Sequence, residues 1–264
     1  MTGRNFSVGT GLNYQRSGKG TVLVLVHGFL LGLGFWRPVV ELFEDRFDII
    51  AIDLPGFAGS AKEPIAENIS ELAQSVVDLL DELNVDKFSL IGHSMRGSIV
   101  QEIALENSDR VEKLCVYASS SGIESFPPVN PDSARSPDER QDVLEKEGVD
   151  GLRKWMAPFW FADGEQNPYL EECMESGNGC SEEVAKMGGK YMTSWDRTAD
   201  LDQIKAPTLV IGGDKDRTFS VEALTFISRS VLDGQLCIIP GVAHCAHYEN
   251  KTVFNHVLGE FFKT

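Results

Sequence analysis

Short hydrophobic runs alternate with amphipathic stretches through about the first 120 residues of the chain. The runs rich in apolar and β-branched residues are Thr21–Val26, Phe47–Ile52, 88–91 and 113–118. Near-continuous runs of this length are typical of parallel strands that are covered on both faces. Residues 68–83 carry their apolar side chains on one helical stripe, and 95–106 predict a second helix directly after a strand. Together these elements predict an α/β fold with a mostly parallel, doubly wound sheet.

The pattern changes near Gly122. From there to about Lys205 the sequence has helical and polar segments but no clear strand, and 126–137 is loop-like. Strand patterns return at 207–211 and 236–239, with a helical stretch at 221–231 between them and an amphipathic helix at 251–262 after them. The simplest organisation is one core, residues 1–121 and 206–264, interrupted by a helical cap, residues 122–205.

Composition excludes several classes of partner. A chain of 264 residues can bury a large core without disulfides or metals. The formal net charge of −16 argues against nucleic acid and anionic membranes as partners, and an acidic solvated surface explains it without a ligand. No apolar signal segment begins the chain and no apolar run is long enough to span a membrane, so we expect a cytoplasmic protein.

The five cysteines show no zinc-binding spacing. Cys115 and Cys237 stand inside apolar runs and are expected to be buried as small hydrophobic residues. Cys173 and Cys180 lie in a polar, glycine-rich stretch, where the sequence neither requires nor excludes a bridge.

The hydrophobic run at 88–91 ends in Gly92-His93-Ser94 just before a predicted helix. This is the sequence form of a sharp strand-to-helix turn that exposes a serine hydroxyl above a sheet. The usual pattern is Gly-x-Ser-x-Gly, because small residues let the strand and the helix pass close together. Here Arg96 occupies the second glycine position and Gly97 follows it. Arg96 is expected to crowd the turn, unless its side chain leaves along a gap and pairs with an acid.

A serine hydroxyl becomes a good nucleophile only when a base takes its proton and a third group orients that base. Asp214 and Asp216 follow the strand at 207–211, and His244 follows the strand at 236–239. The carboxyl ends of parallel strands meet at one edge of a sheet, where catalytic groups gather. We therefore expect an acid and His244 to meet Ser94 there.

An acyl-transfer site also needs donors for the oxyanion of its tetrahedral intermediate. His27-Gly28-Phe29 follows the first predicted strand. In an elbow fold, one backbone N–H comes from the residue after the nucleophile, here Met95, and the other from this earlier loop, here Phe29. His27 is expected to stabilise its loop by hydrogen bonding, and His93 to pack beside the elbow.

With these motifs in this order, the chain resembles the α/β-hydrolase-fold serine hydrolases. The motifs span nearly the whole chain and are Val26-His27-Gly28-Phe29, 53–60, Gly92-His93-Ser94-Met95, 207–216 and 241–244. The resemblance implies Ser94 as nucleophile, Asp216 as acid and His244 as base. Asp216 is preferred to Asp214 because the family's acid usually stands three residues after the glycine. His247 is a weaker alternative to His244.

The cap aromatics Trp155, Phe159 and Trp160 are expected to contact substrate, although the core of a cap would use the same residue types. The expected function is hydrolysis of a small or medium carboxylic ester or lactone with an apolar portion, through an acyl-enzyme on Ser94. It requires no metal and no organic cofactor.

Two alternatives remain at this stage. One is a carbon–carbon bond hydrolase of ring-cleavage products, in which Arg153 or Arg197 would bind a substrate carboxylate. The other is a ligand-binding protein that keeps the fold with little turnover, an alternative that Arg96 leaves open.

Overall fold

The computed structural model describes residues 4–7, 9–123, 125–126 and 137–263. The strands in these residues are β1 (Arg4–Ser7), β2 (Asn13–Gly18), β3 (Thr21–Val26), β4 (Phe47–Ile52), β5 (Phe88–His93), β6 (Val111–Tyr117), β7 (Thr208–Gly213) and β8 (Gly234–Ile239). They form one sheet in the order β1-β2-β4-β3-β5-β6-β7-β8. β2 pairs antiparallel with β1 and β4, and all other pairs are parallel. The predicted mostly parallel sheet is confirmed.

Helices cover both faces of the sheet. They are α1 (Arg37–Phe43), α2 (Ile69–Glu82), α3 (Arg96–Glu106), α4 (Pro137–Met156), α5 (Leu170–Glu175), α6 (Glu182–Thr193), α7 (Val221–Ser230), α8 (Ala246–Glu249) and α9 (Lys251–Phe262). A positive φ of 70° at Gly148 divides α4 into two helical pieces. No helix among the described residues combines the length and the apolar character that crossing a membrane would need.

Every strand and helix predicted outside 122–205 is present, with ends displaced by at most two residues. β1, β2, α1 and α8 were not predicted. β2 has no hydrophobic run because it pairs antiparallel near the sheet edge and buries only Tyr14 among its side chains. Because β2 is half exposed, it lacks the continuous hydrophobic run by which the central strands were predicted.

The core consists of two layers separated by the sheet. Successive side chains of β3 enter opposite layers: Val24 and Val26 pack with α2 and α3, whereas Leu23 and Leu25 pack with α1 and α9. This alternation follows from the two-residue period of a strand. Because both layers are apolar, the central strands are continuous hydrophobic runs, as the sequence shows.

Residues 122–205, called the cap segment below, contain α4, α5 and α6 between β6 and β7. The segment contacts the loops that follow β3 and β4: the Ser181 N–H donates to the carbonyl of Gly56, and the Cys180 thiol lies 3.8 Å from the carbonyl oxygen of Leu31. Most of the loop expected at 126–137 falls outside the described residues. That the cap segment, residues 122–205, is a domain separate from the core stays a prediction.

Candidate active site

Ser94 lies on the sharp turn between β5 and α3. Its φ of 60° is in the left-handed region, where a residue with a side chain is strained. Two backbone hydrogen bonds hold the turn: Ser94 donates its N–H to the carbonyl of Tyr117 at 2.9 Å and accepts from the N–H of Gly97 at 2.8 Å. This is the geometry of a nucleophile elbow.

Two glycines permit the close passage of strand and helix at this turn. A Cβ on Gly92 would lie 2.4 Å from the carbonyl oxygen of Arg96, and a Cβ on Gly97 would lie 2.3 Å from the Ser119 side chain. Both distances are shorter than any real Cβ contact. The second close approach therefore falls at position 97, which explains why the glycine stands one residue later than in the usual pattern.

The side chain of Arg96 leaves the turn and does not crowd it. It is 0% exposed, and its guanidinium carbon lies 4.5 Å from the centre of the Phe57 ring. The expectation that it pairs with an acid is wrong, because Nε, Nη1 and Nη2 have no hydrogen-bond partner among the described residues. A cation–π contact is worth about 2 kcal/mol. Removing a guanidinium from water costs on the order of several kcal/mol, so this contact does not offset it.

His244 and Asp216 meet at the carboxyl ends of β8 and β7. Nδ1 of His244 lies 2.7 Å from Oδ2 of Asp216, and both side chains are buried. The other carboxylate oxygen of Asp216 accepts the backbone N–H groups of Thr218 at 2.8 Å and Phe219 at 3.2 Å. With both oxygens engaged, the carboxylate has a fixed orientation toward the imidazole.

The alternatives weighed from the sequence have other partners. Asp214 accepts the backbone N–H of Gly241 at 2.6 Å and so joins two loops without contacting an imidazole. His247 is fully buried, with Nδ1 3.1 Å from the Tyr117 hydroxyl and Nε2 3.1 Å from the Phe35 carbonyl. Burial lowers the pKa of His247 to about 3.

His93 links the turn of Ser94 to the loop of His244. Its Nε2 donates to the carbonyl of His244 at 3.0 Å, and the two ring centres are 4.4 Å apart. Phe219 stacks on His244 with ring centres 5.9 Å apart. Among the hydrogen bonds of the described residues, none joins the Ser94 hydroxyl to His244. His93 therefore joins the turn of Ser94 to the loop of His244, and it packs beside the elbow as expected.

The loop after β3 passes close to the elbow, since a Cβ on Gly28 would lie 2.7 Å from Nδ1 of His93. Leu30 has a φ of 56° and is fully buried, so this loop is strained as well. Neither Phe29 nor Met95 donates its backbone N–H within the described residues. His27 fixes the base of the loop: Nδ1 donates to the Gly28 carbonyl at 2.8 Å and Nε2 accepts from the Leu54 N–H at 3.2 Å. Burial, with Arg96 nearby, lowers the pKa of His27 to about 3.

Glu249, on α8, was not singled out from the sequence. Its Oε2 accepts the N–H of Ala243, the residue before His244, and its Oε1 accepts the N–H of Ala162 in the cap segment, both at 2.7 Å. Burial raises the pKa of this carboxyl. Glu249 therefore ties the loop of His244 to the cap segment.

Residues 21–251 match the model of the α/β-hydrolase fold family. The chain belongs to this family. The match covers the turn at Ser94 and the loops that carry Asp216 and His244.

Curated relatives match over nearly the whole length of this hydrolase-fold chain. It is 27% identical to a 2-hydroxy-6-oxononadienedioate/2-hydroxy-6-oxononatrienedioate hydrolase of Dechloromonas aromatica, over 95% of this chain and 90% of that one. It is 24% identical to 3-oxoadipate enol-lactonase 2 of Acinetobacter baylyi, over 96% and 93%. An esterase from Exiguobacterium antarcticum is similar in fold, with a TM-score of 0.82, 17% identity and full coverage of both chains. The family match and the two curated relatives support hydrolase activity and leave the substrate open, and the esterase structure shows the shared fold.

A small cavity of this α/β hydrolase lies beside the elbow. It is lined by Met95, Ser98, Ser120, Gly122, Ile123, Met192, Trp195 and Phe219. Met95 adjoins the elbow serine and Phe219 stacks on His244, so the cavity borders both loops. Met192 and Trp195 are bulky apolar residues of the cap segment, and nothing in their sequence spacing distinguishes them from Trp155, Phe159 and Trp160.

The three cap aromatics predicted to contact substrate have different surroundings. Trp160 is buried in the core layer that contains α1 and α9. Trp155 packs against a small cluster that includes Leu30 of the loop after β3. Phe159 lies under the guanidinium of Arg217 at 5.9 Å. Their role in substrate binding stays a prediction.

The cap arginines named for a carboxylate already have protein partners. Arg153 donates to the carbonyl of Gly177 and to Asn178 and Asp150. Arg197 donates to Glu102 and to two further acids, and Glu102 and Asp200 raise its pKa.

All five cysteines are free. The thiols of Cys173 and Cys245 contact each other, whereas the thiol of Cys180 lies against the carbonyl of Leu31. Within the described residues no three His, Cys, Asp or Glu side chains are arranged to hold a metal ion.

Proposed function

We propose that this chain is a serine hydrolase that cleaves a small or medium carboxylic ester or lactone through an acyl-enzyme on Ser94. In this mechanism His244 takes the proton of the Ser94 hydroxyl as that oxygen attacks the carbonyl carbon. Asp216 holds His244 in the tautomer that carries its proton on Nδ1. The backbone N–H groups of Phe29 and Met95 stabilise the oxyanion. His244 then protonates the leaving alcohol and activates the water that releases the acid.

One observation supports this proposal above the others. Asp216 engages Nδ1 of a buried histidine at 2.7 Å while its second oxygen accepts two backbone N–H groups. A carboxylate locked in this way leaves Nε2 as the basic nitrogen, and Nε2 is the atom that a nucleophilic serine requires. The strained conformation of Ser94 is consistent with a nucleophile. The backbone N–H groups of Phe29 and Met95 donate no hydrogen bond within the described residues, which is consistent with donors for the oxyanion.

The substrate proposal follows from the chemistry and from the relatives. The lactonase relative acts on an ester bond closed into a ring, which an acyl-enzyme mechanism opens. The cavity beside the elbow, about 10 Å³, holds no more than a water molecule, so it has to widen around a substrate; Met95, Met192, Trp195 and Phe219 in its lining would then contact an apolar portion. We propose that the cap segment forms a helical cap domain over this site and that the partner is a small molecule.

A carbon–carbon bond hydrolase is the second candidate, because one relative at 27% identity is named for such a dienedioate substrate. It would use the same three side chains. Arg153 and Arg197 are weak candidates for its carboxylate contact, since protein groups already accept from both.

The test is turnover of 4-nitrophenyl butyrate by the wild-type chain, by Ser94→Ala and by Ser75→Ala. Removal of a triad serine lowers kcat by about 10⁶-fold, so Ser94→Ala is expected to lose measurable turnover. Ser75 lies on α2 and donates to the carbonyl of Leu72, so Ser75→Ala is expected to behave as wild type. Turnover that survives Ser94→Ala would overturn the proposal. Turnover of dienoates but not of esters would favour the carbon–carbon alternative.

A further inference from the structure

Arg96 is an unsatisfied cation in the interior of the protein. Its side chain is 0% exposed, and none of its three guanidinium nitrogens has a hydrogen-bond partner among the described residues. Buried polar groups in native proteins nearly always have partners, and an exception requires an explanation such as a ligand. Arg153, also buried, shows the usual arrangement, with three acceptors for its guanidinium.

The surroundings of Arg96 hold aromatic faces but no acid. The guanidinium carbon lies 4.5 Å from the centre of the Phe57 ring and 5.8 Å from that of Tyr191. The ionisable groups that interact with its charge are Tyr191, the thiol of Cys180 and His27, and all three are neutral at pH 7. Burial lowers the pKa of Arg96 to about 10, so the guanidinium is charged at neutral pH. Its positive charge is therefore uncompensated.

The position of this charge connects it with the candidate active site. Arg96 is the first residue of α3, two residues after Ser94, and follows Met95 directly. It lies at the contact between the core and the cap segment, because Phe57 belongs to the loop after β4 and Tyr191 to α6. Phe57 in turn contacts Phe29 of the loop after β3, with ring centres 6.4 Å apart. Met95, the residue directly before Arg96, lines the small cavity beside the elbow.

We propose that Arg96 is the anion-recognition element of this site, and that the substrate carries a carboxylate in addition to the bond that is cleaved. This inference rests on the proposed function and narrows its substrate class. A carboxylate matches the planar fork of a guanidinium with two parallel hydrogen bonds. The faces of the guanidinium are used by aromatic rings, and its N–H edges are the part that lacks partners.

Binding of simple acids to Ser94→Ala tests the proposal without turnover. The ligands are the dicarboxylates from succinate to suberate, each compared with the monocarboxylate of equal length by calorimetry. At least one dicarboxylate is expected to bind about 10- to 100-fold more tightly than its monocarboxylate, the range for hydrogen bonds to a charged group. The overall electrostatic field of the chain cannot cause this preference for the dicarboxylate, because a net charge of −16 repels dianions more than monoanions.

Arg96→Met keeps much of the length that packs on Phe57 and removes the charge. In the Ser94→Ala background it is expected to abolish the preference for the dicarboxylate. Arg96→Lys is expected to retain part of it, since an ammonium supplies the charge without the fork. Arg16→Met is the matched control: Arg16 pairs with Asp48 on the distant strand β4, and its loss should leave the preference unchanged.

Several outcomes would overturn the proposal. One is equal binding of mono- and dicarboxylates throughout the series by Ser94→Ala, a result that does not depend on how the Arg96 variants fold. Another is a preference that survives Arg96→Met.

The kinetic comparison uses the active enzyme with a 4-nitrophenyl half-ester of the preferred diacid and the matching neutral ester. Arg96→Met is expected to raise KM for the half-ester by about 10- to 100-fold more than it raises KM for the neutral ester. If Ser94→Ala prefers the dicarboxylate but the active enzyme turns over neither ester, the anion site at Arg96 stands and the proposed function is rejected. If the enzyme turns over both esters with equal kcat/KM, the proposed function stands and the anion site is rejected.

Discussion

At the scale of single residues, the candidate site separates two aspartates that stand two positions apart. Asp216 contacts the imidazole of His244, whereas Asp214 accepts a backbone N–H from Gly241. The sequence favoured Asp216 through a resemblance alone, because residue spacing does not show which carboxylate turns inward. The sequence could not show the surroundings of Arg96 for a similar reason: the two aromatic rings that contact its guanidinium, Phe57 and Tyr191, come from segments far apart in the chain.

This difference gives a matched pair of variants. Asp216→Asn keeps the shape but loses the charge that orients His244, and kcat is expected to fall by about 10⁴-fold. Asp214→Asn keeps an acceptor for Gly241 and is expected to change kcat by less than about tenfold. Steady-state kinetics on one ester measures both. Equal losses in the two variants would contradict the assignment of the acid.

At the scale of elements, strand ends and short helices place the functional groups. The hydrophobic runs of β3, β5, β7 and β8 were readable because two apolar layers enclose the central strands. β2 was not readable, since it is half exposed, and neither was α8, which has four residues and no helical period to detect. Yet α8 carries Glu249, whose carboxylate joins the loop of His244 to the cap segment.

Glu249→Gln leaves one of the two N–H groups, of Ala162 or Ala243, facing an amide NH₂ instead of an oxygen. The unsatisfied donor is expected to lower the free energy of unfolding by about 1–3 kcal/mol. Displacement of the loop is expected to lower kcat more than it changes KM. Urea unfolding and kinetics measure the two effects. Glu260→Gln is the control, because Glu260 is exposed on α9 and pairs with Lys263, the residue after that helix. Equal effects in both variants would rule out a positioning role for Glu249.

At the scale of the whole molecule, buried histidines set the response to acid. Burial holds the pKa values of His27 and His247 at about 3, and that of His93 well below its usual value. The unfolded chain binds these protons near pH 6.5 and the folded chain does not, so their contribution to stability is complete above pH 6.5 and is lost as the pH falls. The slope that each residue contributes approaches about 1.4 kcal/mol per pH unit well below pH 6.5.

The free energy of unfolding is therefore expected to fall as the pH is lowered from 6.5 to 5.5. At lower pH, Asp53 and Glu249 act in the opposite direction, because burial raises their pKa values. In His247→Gln the slope over this range is expected to decrease by about 1 kcal/mol per pH unit, because the histidine of the unfolded chain is only partly protonated near pH 6.5. Replacing the exposed His256 with Gln should leave it unchanged. Urea titrations across this range supply the slopes, and identical slopes in both variants would contradict the account.

The central claim is that Ser94 is an activated nucleophile. Its most direct test is reaction with a fluorophosphonate followed by intact-mass measurement and peptide mapping. The account predicts one adduct per chain, located on Ser94, and no adduct in Ser94→Ala. Absence of an adduct on the wild-type chain, or an adduct on another residue, would contradict it.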